Sequence, residues 1–156
     1  MKHLSIGLFA VLVCFAQARA GDVKVKAHMA TGPKEEEAVT SFTPDTENLY
    51  AVFRAKGTKE GDKMHCVLIA EDVGDAAPAN TKALETTLTV EGDANGRDYV
   101  GDFELSKPTK GWPAGKYHVE IYVNDELATK VNFTVKASTK AKKHGEDEKE
   151  EESSED

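Results

Sequence analysis

The segment from residue 111 to residue 135 most constrains how this 156-residue chain can fold. Two stretches in it alternate between apolar and polar residues, which is the period of a strand with one buried face. Asn124 and Asp125, between the two stretches, can both adopt positive φ and suit a tight turn. The pattern predicts a β-hairpin whose buried side chains are Tyr117, Val119, Ile121 and Val123 on the first strand and Val131, Phe133 and Val135 on the return strand.

The same alternation recurs through the rest of residues 21–137, and no stretch has a sustained helical period. Asn95 and Gly96 form the strongest two-residue turn signal and predict a second hairpin. Seven to eight short antiparallel strands in a segment of single-domain length predict an all-β sandwich. The further strands are expected over residues 23–29, 38–42, 47–55, 63–73, 84–90 and 99–105.

Trp112, Pro113, Gly115 and Tyr117 precede the closing hairpin in the order W-P-x-G-x-Y. This run resembles the closing motif of small immunoglobulin-like β-sandwich domains in bacterial exported proteins. The resemblance implies an immunoglobulin-like fold in which the Tyr117 hydroxyl bonds to nearby backbone, as in a tyrosine corner. It also implies a binding, adaptor or spacer module, and it carries over no catalytic residues. The chain departs from antibody domains because it lacks their two-cysteine bridge.

Residues 1–20 have the pattern of a secretory signal peptide. Lys2 and His3 precede an apolar run over residues 4–16, and Ala18 and Ala20 are the small residues expected before a cleavage site. The run is shorter than the roughly 20 apolar residues of a membrane span. A lipoprotein site at Cys14 is disfavoured because Val13 precedes it. We expect export to the periplasm or the medium, with no membrane insertion after cleavage.

Residues 138–156 are expected to form a disordered acidic tail. They contain four Lys and eight acidic residues, with no aromatic or β-branched aliphatic residue. Such a segment cannot bury enough apolar surface to offset its ordering entropy. The tail can serve solubility, dock on a basic partner or gather cations loosely.

The charge of the folded segment excludes two classes of partner. Residues 21–137 contain 14 Lys and Arg against 20 Asp and Glu, which gives a net charge of −6. An acidic domain with an acidic tail lacks the excess positive charge that attracts nucleic acid or anionic lipid. Neither partner is expected.

Cys66 is the one cysteine in residues 21–156, so no disulfide can form within that segment. Its alternation with Leu68 predicts a buried, unreactive thiol, with intermolecular pairing or metal ligation as alternatives. His65 and Cys66 are neighbours on a predicted strand, so their side chains point to opposite faces and cannot act as a catalytic dyad. The chain also lacks a Gly-x-Ser-x-Gly elbow, and no enzymatic activity is predicted.

Two groups of residues are candidate metal ligands. The soft or nitrogen ligands that suit copper are clustered in sequence but lack Cys-x-x-Cys or His-x-His spacing. The second group resembles the sequence of a calcium-binding loop, although it begins with Glu91 where such a loop has Asp. A hairpin with an Asn-Gly turn explains the same residues without a metal ion. The candidates are His28, Met29, Met64, His65 and Cys66 for copper, and Asp93, Asn95, Asp98 and Asp102 for calcium.

The sequence therefore predicts an exported, non-enzymatic, monomeric module over residues 21–137 that needs no cofactor. It would bind an envelope or extracellular protein or act as a spacer. The alternative is a periplasmic metal-binding protein that holds copper, or calcium at the Asp93–Asp102 hairpin.

Overall fold

A computed structural model describes residues 23–92 and 98–137 of the chain. These residues form strands in two sheets, with one short 3-10 helix at Gly74–Ala76, so the all-β prediction is confirmed. Within the described ranges, no helix has the length and apolar content needed to cross a membrane. The strands are β1 (Lys24–Ala30), β2 (Ser41–Phe42), β3 (Asn48–Lys56), β4 (Lys63–Asp72), β5 (Thr81–Thr89), β6 (Tyr99–Ser106), β7 (Gly115–Val123) and β8 (Glu126–Val135).

The first sheet has three antiparallel strands in the order β1-β3-β6, and the second has five in the order β2-β8-β7-β4-β5. The prediction that all strands are antiparallel is wrong at one place, because β2 pairs with β8 in parallel, with Ser41 opposite Thr134. Side-chain alternation carries no information about strand direction. A parallel pair needs only a long connection between its strands, and here almost the whole domain separates β2 from β8.

The predicted hairpin at Asn95-Gly96 is also wrong, because β5 pairs with β4 whereas β6 pairs with β3. The chain therefore crosses between the two sheets after β5. The end of β5 is held by the turn that precedes β4: Val90 N–H donates to Asp62 O at 2.8 Å, and Gly61 N–H donates to Val90 O at 2.9 Å. Residues 93–97 lie outside the described residues.

The inward faces of both sheets meet in one hydrophobic core. Each long strand contributes alternate side chains to it, which is what the period of two requires. The largest side chains with almost no exposed surface are Phe53, Met29, Leu49, Met64, Leu68, Leu105 and Ile121.

The β7–β8 hairpin has the predicted geometry. Its buried side chains include Tyr117, Val119 and Ile121, and Asn124 and Asp125 have φ of 48° and 70°. Asn124 also joins the hairpin to β4: its N–H donates to Lys63 O at 2.8 Å, and its side-chain Oδ1 accepts from Lys63 N–H at 2.9 Å. The turn is therefore fixed both by its own backbone preference and by the neighbouring strand.

Trp112 lies in the core at 3% exposure and joins two loops. Its backbone N–H donates to Pro44 O at 3.0 Å, and its indole Nε1–H donates to Thr46 O at 2.8 Å. A buried tryptophan needs such a partner for its only polar group. The side chain therefore fills the core and also holds the β6–β7 connection against the β2–β3 connection.

Tyr117 closes the turn that leads into β7. Its hydroxyl donates to Pro113 O at 2.7 Å, four residues earlier, and burial raises the pKa of this hydroxyl to about 12. Its ring is stacked on Phe133, with centroids 5.3 Å apart. Phe133 in turn makes an edge-to-face contact with Phe42 of β2. Tyr117 thus connects the turn, the hairpin and the short parallel strand.

Replacing Tyr117 by Phe should lower the free energy of unfolding by about 0.5–1.5 kcal/mol, because one hydrogen bond is lost while the ring stack remains. Urea denaturation measures this change. Tyr50→Phe is the matched control, since Tyr50 is partly exposed on the outer face of β3 and is expected to change stability by less than about 0.5 kcal/mol. Equal effects of the two substitutions would show that the bond to Pro113 contributes nothing.

Candidate functional site

The outer face of the five-stranded sheet carries a connected set of polar side chains. It is built mainly by the adjacent strands β4 and β7, whose outward residues alternate with core residues. Strand β5 lies beside β4 and contributes Lys82 and Glu85, and strand β8 lies beside β7 and contributes Lys130. We call this set the outer-face network: Lys82, Glu85, His65, Tyr122, Glu120, His118, Glu71 and Lys130.

One end of the outer-face network joins β5 to β4. The Glu85 carboxylate lies 2.5 Å from Lys82 Nζ and 2.6 Å from His65 Nε2. The hydrogen bond from Lys82, followed by the contact with His65, lowers the pKa of Glu85, so this carboxylate stays charged. The His65 ring lies against Tyr122 of β7, with centroids 5.2 Å apart and planes inclined by 30°. The imidazole is therefore fixed on two sides.

Tyr122 continues the outer-face network along β7. Its hydroxyl donates to Glu120 Oε2 at 2.6 Å. This hydrogen bond lowers the pKa of the Glu120 carboxyl and raises the pKa of the Tyr122 hydroxyl. Two side chains that are two residues apart on one strand face thus hold each other in place.

His118 is the buried centre of the outer-face network, with 4% of the residue exposed. Its Nδ1 lies 2.6 Å from Glu71 Oε1, and its Nε2 lies 3.2 Å from Glu120 Oε1. A protonated imidazole donates from both nitrogens, whereas a neutral one donates from only one. Glu71 lies at a β-bulge between Ala70 and Asp72, and Lys130 Nζ approaches its Oε1 at 3.6 Å. The two carboxylates and His118 therefore restrict one another.

The outer-face network is part of an open sheet surface. Its groups are held in fixed positions on a sheet face, and its aromatic and charged side chains remain partly exposed. Catalytic sites are usually concave and exclude water. The neighbouring cavity is a shallow groove of about 520 Å³ at the β2–β8 edge, lined by Glu71, Lys116 and Asn132 among others.

The structure does not bring the proposed copper ligands together in one site. Met29, Met64 and Cys66 point into the core. His28 lies on the outer face of the three-stranded sheet, where its Nε2 is 2.7 Å from Glu35 O. His65 lies on the outer face of the other sheet within the outer-face network. Among residues 23–92 and 98–137, no three His, Cys, Asp or Glu side chains are grouped so that they could hold a metal ion.

The proposed calcium ligands fall partly outside the described residues, since Asp93 and Asn95 belong to residues 93–97. Asp98 Oδ2 lies 3.4 Å from Arg54 Nη1 of β3. Asp102 is paired opposite Val52 within β6. The hairpin on which the calcium prediction rests is not formed, because β5 and β6 belong to different sheets.

Cys66 is free and buried, as predicted. Burial raises the pKa of its thiol to about 12, so the nucleophilic thiolate is scarce at neutral pH. We expect no reaction with an alkylating reagent in the native protein and complete reaction in denaturant. Mass spectrometry after timed alkylation measures this, and rapid labelling of the native protein, or a disulfide-linked dimer on a non-reducing gel, would contradict it.

Of the outer-face network, only His65 is among the site residues predicted from the sequence. The alternation places His65 on the outer side of β4, and it places His118, Glu120 and Tyr122 on the outer side of β7. Because β4 and β7 pair with each other, these side chains share one face of the sheet. That pairing joins residues about 50 positions apart, and strand periodicity does not reveal it. The burial of His118 and its contact with Glu71 of β4 have no local signal in the sequence.

No family model matches this chain, and no curated protein matches it. Among solved structures it is similar to the Pseudomonas fluorescens alkylpurine DNA glycosylase AlkC bound to DNA containing an abasic site analog, with 18% identity and a TM-score of 0.42 over 74% of this chain and 30% of that chain. It is also similar to the Bifidobacterium adolescentis GH3 beta-glucosidase, with 13% identity and a TM-score of 0.42 over 72% of this chain and 17% of that chain. The chain thus spans less than a third of either protein.

Proposed function

We propose that this chain is an exported, non-enzymatic binding module with an immunoglobulin-like fold, and that it recognises a protein partner through the outer-face network. The observation that carries the proposal is the fixing of Tyr122 and His65 by contacts within the network. Side chains that are ordered before binding lose little entropy on binding. Tyrosine is also enriched among residues that dominate binding energies.

The strand order supports the immunoglobulin-like assignment. The order β1-β3-β6 is like that of strands A, B and E of that fold, and the order β4-β7-β8 is like that of strands C, F and G. Compared with its seven-stranded form, the first sheet has one strand fewer and the second has two more. The bond from the Tyr117 hydroxyl to Pro113 O is of the tyrosine-corner type. Folds of this class mostly present surfaces for recognition, and function resides in the site that each surface carries.

Export is supported by the sequence of residues 1–20, which combines a basic start, an apolar run and small residues before the cleavage point. We expect the exported protein to begin at Gly21. N-terminal sequencing of the protein recovered from the producing cells tests this, and a chain that retains residues 1–20 would contradict it.

The binding surface can be tested by photo-crosslinking in intact cells. A photoreactive amino acid is placed at Thr87, which is exposed and lies opposite His65 on the outer face of β5. The matched position is Glu104, which is exposed on the outer face of β6 in the other sheet. We expect a specific adduct from position 87 and none from position 104. Adducts from position 104 alone, or from neither position, would overturn the proposal.

A captured partner then allows a quantitative test. Tyr122→Ala should weaken its binding by about 30-fold or more, because a residue that dominates an interface costs at least about 2 kcal/mol when truncated. Tyr50→Ala, on the outer face of the three-stranded sheet, is the control and should leave the Kd unchanged. Equal Kd values for the two variants would assign the binding surface elsewhere.

A further inference from the structure

One end of the outer face of the three-stranded sheet carries four positive charges close together in an otherwise acidic protein. The register of β1 and β3 places Lys24 directly opposite Lys56, and Lys26 directly opposite Arg54. All four residues are exposed. Like charges directly opposite each other across a strand pair are destabilising. We call these four residues the basic strip. Their mutual repulsion lowers stability, and a bound anionic group would offset it.

The charges around the basic strip leave most of it uncompensated. Arg54 pairs with Asp98 at 3.4 Å. Within the described part of the chain, no ion pair reaches Lys24, Lys26 or Lys56.

The groove beside the basic strip has a volume of about 260 Å³ and contains charges of both signs. Lys34 adds a cation to its lining, and Glu35 and Glu36 add two carboxylates. The Glu35 carboxylate accepts hydrogen bonds from the Thr31 and Gly32 amides, which occupy one of its oxygens. Asp102 and Glu104 of β6 lie on the same outer face, opposite Val52 and Tyr50. The positive excess is therefore confined to the end of the face that carries the basic strip.

The chain itself contains a segment of complementary charge. Residues 146–156 include eight acidic residues and one Lys, which gives a net charge of −7. They follow Ala137, the last described residue, within a 19-residue segment that can extend at most about 60 Å at about 3.3 Å per residue. β1 contacts β8, the strand from which this segment leaves. β1, which carries two residues of the basic strip, is about 20 Å long as a strand of seven residues, so the strip is within reach of the segment.

We propose that the acidic residues 146–156 bind the basic strip of the same molecule. The attachment of the segment to β8 gives it an effective concentration in the millimolar range, so weak individual ion pairs suffice. The contact screens the Lys24–Lys56 and Lys26–Arg54 repulsions.

Paramagnetic NMR tests the proposal on residues 21–156, which contain all eight strands. A nitroxide is attached through Ser154→Cys, because buried Cys66 does not compete for the label. At about 0.01 M salt, where the Debye length is about 30 Å, we expect the label to broaden amides of residues 24–28 and 52–56 selectively. At about 1 M salt, where the Debye length is about 3 Å, this broadening should disappear.

Two triple variants of the labelled chain provide the matched comparison. Lys24→Gln, Lys26→Gln and Lys56→Gln together should abolish the selective broadening. Lys110→Gln, Lys116→Gln and Lys136→Gln change the net charge equally at exposed sites elsewhere and should retain it. Circular dichroism confirms that both variants are folded.

Three outcomes would overturn the proposal. Broadening that is absent, or spread evenly over the surface, would show that the segment does not bind the basic strip. Broadening transferred to unlabelled isotope-enriched protein in a mixed sample would assign the contact to a second copy. If the label does not broaden the amide resonances of the basic strip but a heparin oligosaccharide shifts them, the surface binds an external polyanion instead.

Discussion

Replacing Trp112 by Ala is expected to lower the free energy of unfolding by about 3–5 kcal/mol, the cost of removing a large aromatic side chain from a core. The ring is 3% exposed, and its Nε1–H bond to Thr46 O is lost with it. The backbone bond from residue 112 to Pro44 O can remain, but the Pro44–Thr46 loop loses its contact with the ring. At roughly 4 °C per kcal/mol for a domain of this size, the Tm should fall by roughly 12–20 °C.

Thermal and urea denaturation measure the loss, and intrinsic fluorescence checks its cause. Trp112 is the chain's single tryptophan, so the native emission reports this site alone. We expect blue-shifted native emission that moves to longer wavelength on unfolding. Trp112→Phe keeps most of the ring volume but not the bond to Thr46 O, so it should cost less than Trp112→Ala. A red-shifted native emission, together with an unchanged Tm for the Ala variant, would contradict the buried position of the ring.

The features that could be predicted from the sequence are those that depend on neighbouring residues. The β7–β8 hairpin is one of them, because Asn124 and Asp125 determine the turn and the alternation after Tyr117 determines which side chains are buried. The burial of Cys66 follows in the same way from its place in the alternation of β4. These patterns hold whichever strands become neighbours.

The features that could not be predicted depend on which strands pair. Asn95-Gly96 has the chemistry of a two-residue turn, yet Val90 is held by the Gly61–Asp62 turn and β6 pairs with β3. Burial of two complete sheet faces outweighs a local turn preference. The parallel direction of β2 is likewise a property of the assembled sheet.

The candidate site also depends on strand pairing, because the outer-face network exists only where β4 and β7 are adjacent. His118 shows this most clearly: its Nδ1 contacts Glu71, which lies 47 positions away on β4, while its Nε2 contacts Glu120 on its own strand. A histidine in an alternating strand is expected to be solvated on the polar face. Here it is buried, and a carboxylate lies at each of its two ring nitrogens.

Gly115 links this surface to the fold, and its replacement by Ala is the second change with a large expected effect. Gly115 is the first residue of β7 and has a φ of 155°. A Cβ there would lie 2.2 Å from Asp72 O and 2.8 Å from Val73 Cα, both backbone atoms of the segment that ends β4. Neither atom can move aside as a flexible side chain could. We expect a cost of about 1–3 kcal/mol from the forced contact alone, in addition to the backbone strain.

Gly61→Ala is the comparison without a close contact, because Gly61 also has positive φ, at 88°, and a Cβ there meets no atom within 4 Å. It should cost only the left-handed backbone penalty of about 1–2 kcal/mol. The difference between the two variants in urea denaturation measures the contact together with the larger backbone strain at a φ of 155°. The displaced Asp72 adjoins Glu71, the partner of His118 Nδ1. The Gly115 variant should therefore also shift the His118 ring resonances, whereas the Gly61 variant should leave them in place. Equal destabilisation by the two variants, with unchanged His118 resonances in both, would show that β7 can move away from Asp72 at no cost.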